Sequence, residues 1–270
     1  MKSSSSRPIF RNPALRAWSR SGLAFLLGLS LVFTTANCAH DNSPEIARSV
    51  QFMSTSAEYR ALVHQAYNVA TERVRQAAAT REPGTWAVIV DADETVLSNL
   101  PYYIEQVREG DNGSGLGRTA WQQRSEAPAL PAAKAFLEEV RSLGGRIVVV
   151  TNRAAFQNDE TRENLTAAGL PYDAVLSHPI SLDGFKEPRF DAVGEGLEDE
   201  GLPPLEVVLY LGDRIGDFPE PEPDAARPFE LFGDKYLILP NPIYGDWMET
   251  MPEPGEELWQ EPDVESWQGM

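Results

Sequence analysis

Four short apolar runs constrain this chain most, because each ends abruptly on polar side chains. Trp86 to Val90 (WAVIV) leads into Asp91-Ala92-Asp93-Glu94-Thr95, and Arg146 to Val150 (RIVVV) into Thr151-Asn152-Arg153. Glu206 to Leu211 (EVVLYL) leads into Gly212-Asp213, and Tyr236 to Leu239 (YLIL) into Pro240-Asn241. Short continuous apolar runs suit strands buried on both faces. Helical patterns separate them. Ser43 to Ala79 carries Val50, Met53, Leu62, Val63, Ala66, Val69 and Val74 at helical spacing, and Pro83-Gly84 breaks it. Pro131 to Leu143 opens on proline, which a first helical turn tolerates, and stops at Gly144-Gly145. Asp159 to Ala168 stops at Gly169, and Phe190 to Glu200 is a less regular helical pattern. Strands alternating with helices predict an α/β fold on a mainly parallel sheet. Ligands of such sheets sit outside the carboxyl ends of the strands. That rule gathers Asp91, Thr151 and Asp213 into one expected place. Leu100 to Ala129 breaks the alternation; it is aromatic, with a Gly-rich piece, and reads as an insertion that covers the site.

Three acids in four positions, Asp91, Asp93 and Glu94, sit directly after the first run. Like charges this close repel, and one stays protonated unless a cation arrives. Residues two apart in extended chain point the same way, so Asp91 and Asp93 address one centre. Two carboxylates with different jobs suit nucleophilic phosphoryl transfer: one attacks phosphorus, and the other protonates the leaving oxygen and then activates water. The bland alternative is a loop of solvated acids. A calcium loop fits poorly, because Val96 stands where its glycine belongs. The hydroxyl of Thr151 and the amide of Asn152 suit phosphate oxygens, though a Thr-Asn pair is also an ordinary helix cap. Lys186 would neutralise a phosphate and an attacking Asp91. Asp213, with Asp217 four residues on, would complete an oxygen-ligand Mg²⁺ site that offsets the acidic repulsion.

The formal charge of −18 comes from 23 bases and 41 acids. Such a surface repels nucleic-acid backbones, so a polymer partner is excluded while a small phosphorylated substrate is not. Five of the bases and no acid precede Cys38, followed in the same segment by an apolar stretch from Gly22 to Phe33 and small residues from Thr34 to Ala36. That order is the grammar of an export signal. Cys38, the single cysteine, stands where a lipoprotein signal places its lipidated residue, although Asn37 departs from the usual small residue there. Cleavage after Ala36 without lipid, or a retained anchor helix, are the alternatives. A membrane contact is expected only through lipid on Cys38. The oligomeric state stays open, a homodimer included.

Together these segments resemble the haloacid dehalogenase-like phosphatases, and more narrowly the class C bacterial acid phosphatases, the outer-membrane lipoprotein acid phosphatase/5′-nucleotidase group. The resemblance rests on SAEYRALVHQAYNVA, DADETVLSN, VVVTNR, FKEPR, LYLGDRIGDF and LPNPIYGDW. It implies a Rossmann-like sheet with helices on both faces and a small cap insertion around 100–130. It divides the chain into a signal (1–37), a linker and helical segment (38–85), a catalytic domain (86–250) and an acidic tail (251–270). It implies that Asp91 is the nucleophile and Asp93 the acid/base, that Thr151, Asn152 and Lys186 hold phosphate, and that Asp91, the carbonyl of Asp93, Asp213 and Asp217 hold Mg²⁺. The implied cap aromatics that stack on a substrate ring are Tyr103 and Trp121. Arg214 departs from the family, where a neutral Asn is common. A non-catalytic phospho-ligand binder or a surface adhesion lipoprotein are the rival readings; retention of both Asp91 and Asp93 counts against a pure binder. Cys38 is expected to carry lipid, which the mass of the mature N-terminus checks; an unmodified terminus at Asn37 or later overturns it.

Overall fold

The computed structural model describes residues 44–109, 117–179, 185–220 and 227–250. Cys38, the signal region and the tail after 250 lie outside these described residues. In chain order the elements are α1 (Pro44–Thr55), α2 (Ala57–Ala78), β1 (Trp86–Val90), α3 (Leu100–Glu109), α4 (Arg118–Gln122), α5 (Ala133–Ser142), β2 (Arg146–Ala154), α6 (Asn158–Ala167), β3 (Ala174–His178), α7 (Glu187–Glu195), β4 (Glu206–Gly212) and β5 (Tyr236–Ile238). No helix among the described residues is long and apolar enough to cross a membrane.

The strands form one sheet in the order β3-β2-β1-β4-β5, and every neighbouring pair is parallel. All of β1 is buried. Its alternate residues feed two different cores. Val88 and Val90 join Val63 and Val74 of α2 and Phe136 and Val140 of α5. Ala87 and Ile89 join Phe190 and Val193 of α7. Helices therefore cover both faces, and this explains why the strand reads as an unbroken apolar run. Each fully buried Val, Leu or Phe contributes roughly 1.5–3 kcal/mol against exposure. The expected α/β sheet is the one observed.

The chain runs outward from β1 to β2 and β3, then returns to the other side of β1 for β4 and β5. The strand order reverses between β1 and β4, which opens a crevice at their carboxyl ends. Asp91 leaves β1 at this point, and its backbone N–H donates to Leu211 O at 2.9 Å.

Three local expectations change. The single helix expected from Ser43 to Ala79 is two, broken at Ser56. Its Oγ accepts from Tyr59 N at 2.8 Å, so the side chain caps α2 and ends the preceding turn. β2 runs on through Thr151, Asn152 and Arg153, where the sequence suggests a turn. A fifth strand, β3, is too short and mixed (AVLSH) to stand out by pattern. Ser56→Ala should cost about 1 kcal/mol, seen as a lower urea midpoint with an unchanged slope; an unchanged midpoint would count against the cap.

Candidate active site

The loop after β1 turns back on itself at once. Val96 N and Leu97 N both donate to Ala92 O, at 3.1 and 2.8 Å, and Glu94 N donates to Leu97 O at 2.7 Å. Glu94 holds a left-handed φ of 54°, which costs a non-glycine residue roughly 1–3 kcal/mol. Its fully buried carboxylate offsets that cost. It accepts from Asn99 N at 2.7 Å, Asn99 Nδ2 at 3.0 Å and Tyr244 Oη at 2.7 Å. From below, Tyr67 Oη of α2 donates to Thr95 O at 2.6 Å. The loop is thus fixed on all sides, and Asp91 and Asp93 are held in separate surroundings.

Asp91 faces the start of α7. Lys186, 1% exposed, donates through Nζ to Asp91 Oδ1 at 2.5 Å and to Val150 O at 2.7 Å, and pairs with Asp217 Oδ1 at 2.7 Å. Asp217 Oδ2 accepts from Asp213 N at 3.0 Å and Arg214 N at 2.8 Å. Gly212 makes this approach feasible, since a Cβ there would lie 2.2 Å from Asp217 Cβ. Asp213 accepts from Asn241 Nδ2 at 2.6 Å. Asp91, Asp213 and Asp217, all buried, each offer an oxygen within 4.8 Å of the others. A hard, all-oxygen donor set of this kind suits a divalent cation.

Asp93 faces the other way. Arg153 grips it through Nη2 at 2.7 Å and Nε at 3.1 and 3.2 Å. Asn99 Nδ2 donates to it at 2.8 Å and Gln122 Nε2 at 3.1 Å, with Arg118 at 3.5 Å. Its side chain is therefore not in the metal cluster.

The electrostatics follow from these neighbours. Burial pushes Asp91 up, Lys186 pulls it down, and Asp217 and Asp93 push it up again, to about 7. Burial, then Asp217, Asp91 and Glu94, hold Asp213 well above the carboxylate range. Burial would also raise Asp93, but Arg153, Arg118 and the donated hydrogen bonds outweigh it and hold it well below that range. The neutral acid that the sequence reading asks of Asp93 is therefore a charged carboxylate in the resting site. Burial disfavours the Lys186 charge, yet Asp217 and Asp91 more than offset this and raise its pKa.

Thr151 Oγ1 accepts from Arg153 N at 3.2 Å, which leaves the hydroxyl proton to donate. Arg189 Nη2 donates to Asn152 Oδ1 at 2.7 Å, so the donor end of that amide is the end left for an anion. A cavity of about 430 Å³ has Asp91, Asp93, Thr151, Asn152, Lys186, Asp213 and Asp217 all in its wall. Its acids, Asp91, Asp93, Asp213 and Asp217, are matched by Arg118, Arg153, Lys186 and Arg214, so an acidic chain presents a balanced pocket.

Two expectations are corrected. Tyr103 and Trp121 are 7% and 2% exposed, and neither lines the cavity. The indole N–H of Trp121 donates to Asn99 Oδ1 at 2.7 Å, and Tyr103 Oη accepts from Arg118 at 3.1 Å; both serve the packing of the insertion. The aromatic residues in the cavity wall are Tyr244 and Phe156, the latter 60% exposed. Sequence reading also gave no role to Arg153, Arg118, Gln122 or Asn241. Only Arg153 carried a signal, since it stands two residues from Thr151 in extended chain and shares its face.

Paired carboxylates beside a buried lysine, at the crevice of a parallel sheet, define a site for an anionic ligand handled with a divalent cation. The chain belongs to the HAD superfamily, subfamily IIIB (Acid phosphatase), whose family model matches residues 31–247. It is 36% identical over 157 residues to acid phosphatase 1 of Solanum lycopersicum, covering 56% of this chain and 58% of that one. It spans a little over half the length of the curated relatives it matches. Among solved structures, the class C acid phosphatase of Bacillus anthracis matches with a TM-score of 0.66 and 29% identity, over 76% of this chain and 87% of that one. The same relative with tungstate bound matches with a TM-score of 0.66 and 27% identity, over 83% and 93% of the two chains.

A carboxyl raised on folding binds its proton more tightly in the native state, so stability is lost as pH rises from the unfolded value to the folded one. Without a divalent cation the protein should therefore lose stability between about pH 4 and about pH 7, the window set by Asp91. Thermal unfolding with and without Mg²⁺ checks this: the loss should shrink when the cation is added. A metal-free melting temperature that rises through the window would be the contrary result.

Proposed function

We propose that this chain is an Mg²⁺-dependent acid phosphatase that hydrolyses small phosphomonoesters through an aspartyl-phosphate on Asp91. Nucleoside 5′-monophosphates are the favoured substrates. The observation that carries the reading is the seat of Asp91, a carboxylate at the sheet crevice with Nζ of buried Lys186 at 2.5 Å. A bare carboxylate repels a phosphate dianion, and a cation on each side removes that barrier. When bound, Mg²⁺ would be held by Asp91, Asp213 and Asp217 with the carbonyl of Asp93, and would supply charge neutralisation and orientation. The Thr151 hydroxyl and the Asn152 amide hold non-bridging oxygens. Asp91 attacks phosphorus as the ester P–O bond breaks. Asp93 gives the leaving oxygen a proton, then takes one from the water that hydrolyses the acyl phosphate. Because Arg153 and Arg118 hold Asp93 as a carboxylate at rest, its donor role requires a proton taken up from solution before the leaving oxygen departs. The tungstate held by the Bacillus anthracis relative, a tetrahedral oxyanion, supports a phosphate ligand for the cavity. We also propose that the protein is exported and held at the outer membrane through lipid on Cys38, with the chain divided as the sequence suggests.

Phosphate release from a panel of monophosphates, with and without EDTA, tests the reading. Wild type should release phosphate, EDTA should abolish release, Mg²⁺ should restore it, and Asp91→Asn should stay at background. Wild-type rates from Asp91→Asn would overturn the nucleophile, and no release from any monoester would return the chain to a binding role.

A further inference from the structure

The Asp93 side of the site holds a donor that the reaction as described leaves unused. Arg153 lies near the end of β2 and lines the cavity beside Thr151 and Asn152. Its side chain is 0% exposed. Nε and Nη2 both donate to Asp93. Nη1 is buried and has no hydrogen-bond partner among the described residues. A buried cationic donor without an acceptor is costly and uncommon in a finished interior. Asp93 does not supply the missing acceptor, since its oxygens already take Arg153, Asn99 and Gln122. Arg118, 3.5 Å from Asp93, is itself a cation, and the nearby Glu94 carboxylate is taken by Asn99 and Tyr244. An anionic oxygen brought in by a ligand would complete this geometry. A guanidinium suits the double duty, because its planar fork gives one edge to a carboxylate and leaves another donor for an oxyanion; an ammonium has no such second edge.

Resting on the phosphatase reading above, we propose that Arg153 is a substrate-binding residue whose Nη1 donates to a phosphoryl oxygen on the Asp93 side of the site while Nε and Nη2 hold Asp93. Lys186 would then serve the nucleophile, and Arg153 would join the substrate to the acid/base. Arg153→Lys keeps a positive charge and tests the role. Titration calorimetry with tungstate in Mg²⁺ buffer should show Kd raised about tenfold or more, the loss of one charge-assisted hydrogen bond. The kcat/KM for 4-nitrophenyl phosphate should fall by a similar factor, and that for an alkyl phosphate by at least as much, since its leaving group also needs Asp93 in place. If Arg153 only orients Asp93, tungstate affinity stays within about twofold of wild type. The loss in kcat/KM, which excludes the later hydrolysis of the acyl phosphate, then falls on the alkyl ester alone, because nitrophenolate leaves without a proton; that pattern overturns the proposal. Should the variant not fold, wild type decides: the Arg153 guanidinium ¹⁵N resonances shift on adding inorganic phosphate if the contact forms, and unchanged resonances refute it. Tungstate affinity reads Arg153 even if wild type turns nothing over, so failure of this assignment and failure of the phosphatase reading are distinguishable.

Discussion

The buried ammonium of Lys186 is the interaction on which the rest of the site depends. It meets Asp91, Asp217 and the carbonyl of Val150 within 2.7 Å. Burying three ionised groups together is expensive, and a well-packed apolar trio of equal volume would serve stability at least as well. The arrangement makes physical sense as a device that pulls a buried carboxylate's pKa down against the burial and neighbouring acids that raise it. It also ties distant parts of the fold to one point: the exit of β1, the start of α7 and the turn after β4.

Two acids only two residues apart are driven in opposite electrostatic directions. Asp91 sits with other carboxylates and rises to about 7; Asp93 sits among guanidinium groups and falls. Environments that separate neighbouring pKa values are how a site assigns different tasks to identical side chains. The separation here is built by the tight turn at Glu94, whose left-handed backbone is held by Asn99 and Tyr244. The same buried network takes up Trp121 through Asn99. Packing of the insertion and orientation of the acids are thus one problem with one solution.

Much of the frame was legible in the residues. Strands buried on both faces must be continuous apolar runs, so β1, β2, β4 and β5 announce themselves, and polar residues at their ends mark the functional edge. The short β3 does not, because AVLSH is neither long nor uniform. The break at Ser56 leaves no mark in the apolar spacing, which continues across it while a single side-chain hydrogen bond caps α2. The aromatic residues of the insertion misled for a similar reason: a Trp or Tyr reads alike whether its ring meets a ligand or a neighbour. The pairing of Arg153 with Asp93, 60 residues apart, left no local mark, whereas Lys186 was already expected beside Asp91, 95 residues away.

By itself, then, the sequence determined the α/β class, the parallel sheet and the identity of the strand-end residues, because strands buried on both faces and alternating with amphipathic helices leave a local pattern along the chain. Only the tertiary structure decided that the Asp93 side chain belongs with Arg153 and not with the metal cluster, and which aromatic rings line the cavity. Pairing energies depend on distances of a few ångströms between groups that the chain brings together only when folded, and no spacing along the sequence carries that information.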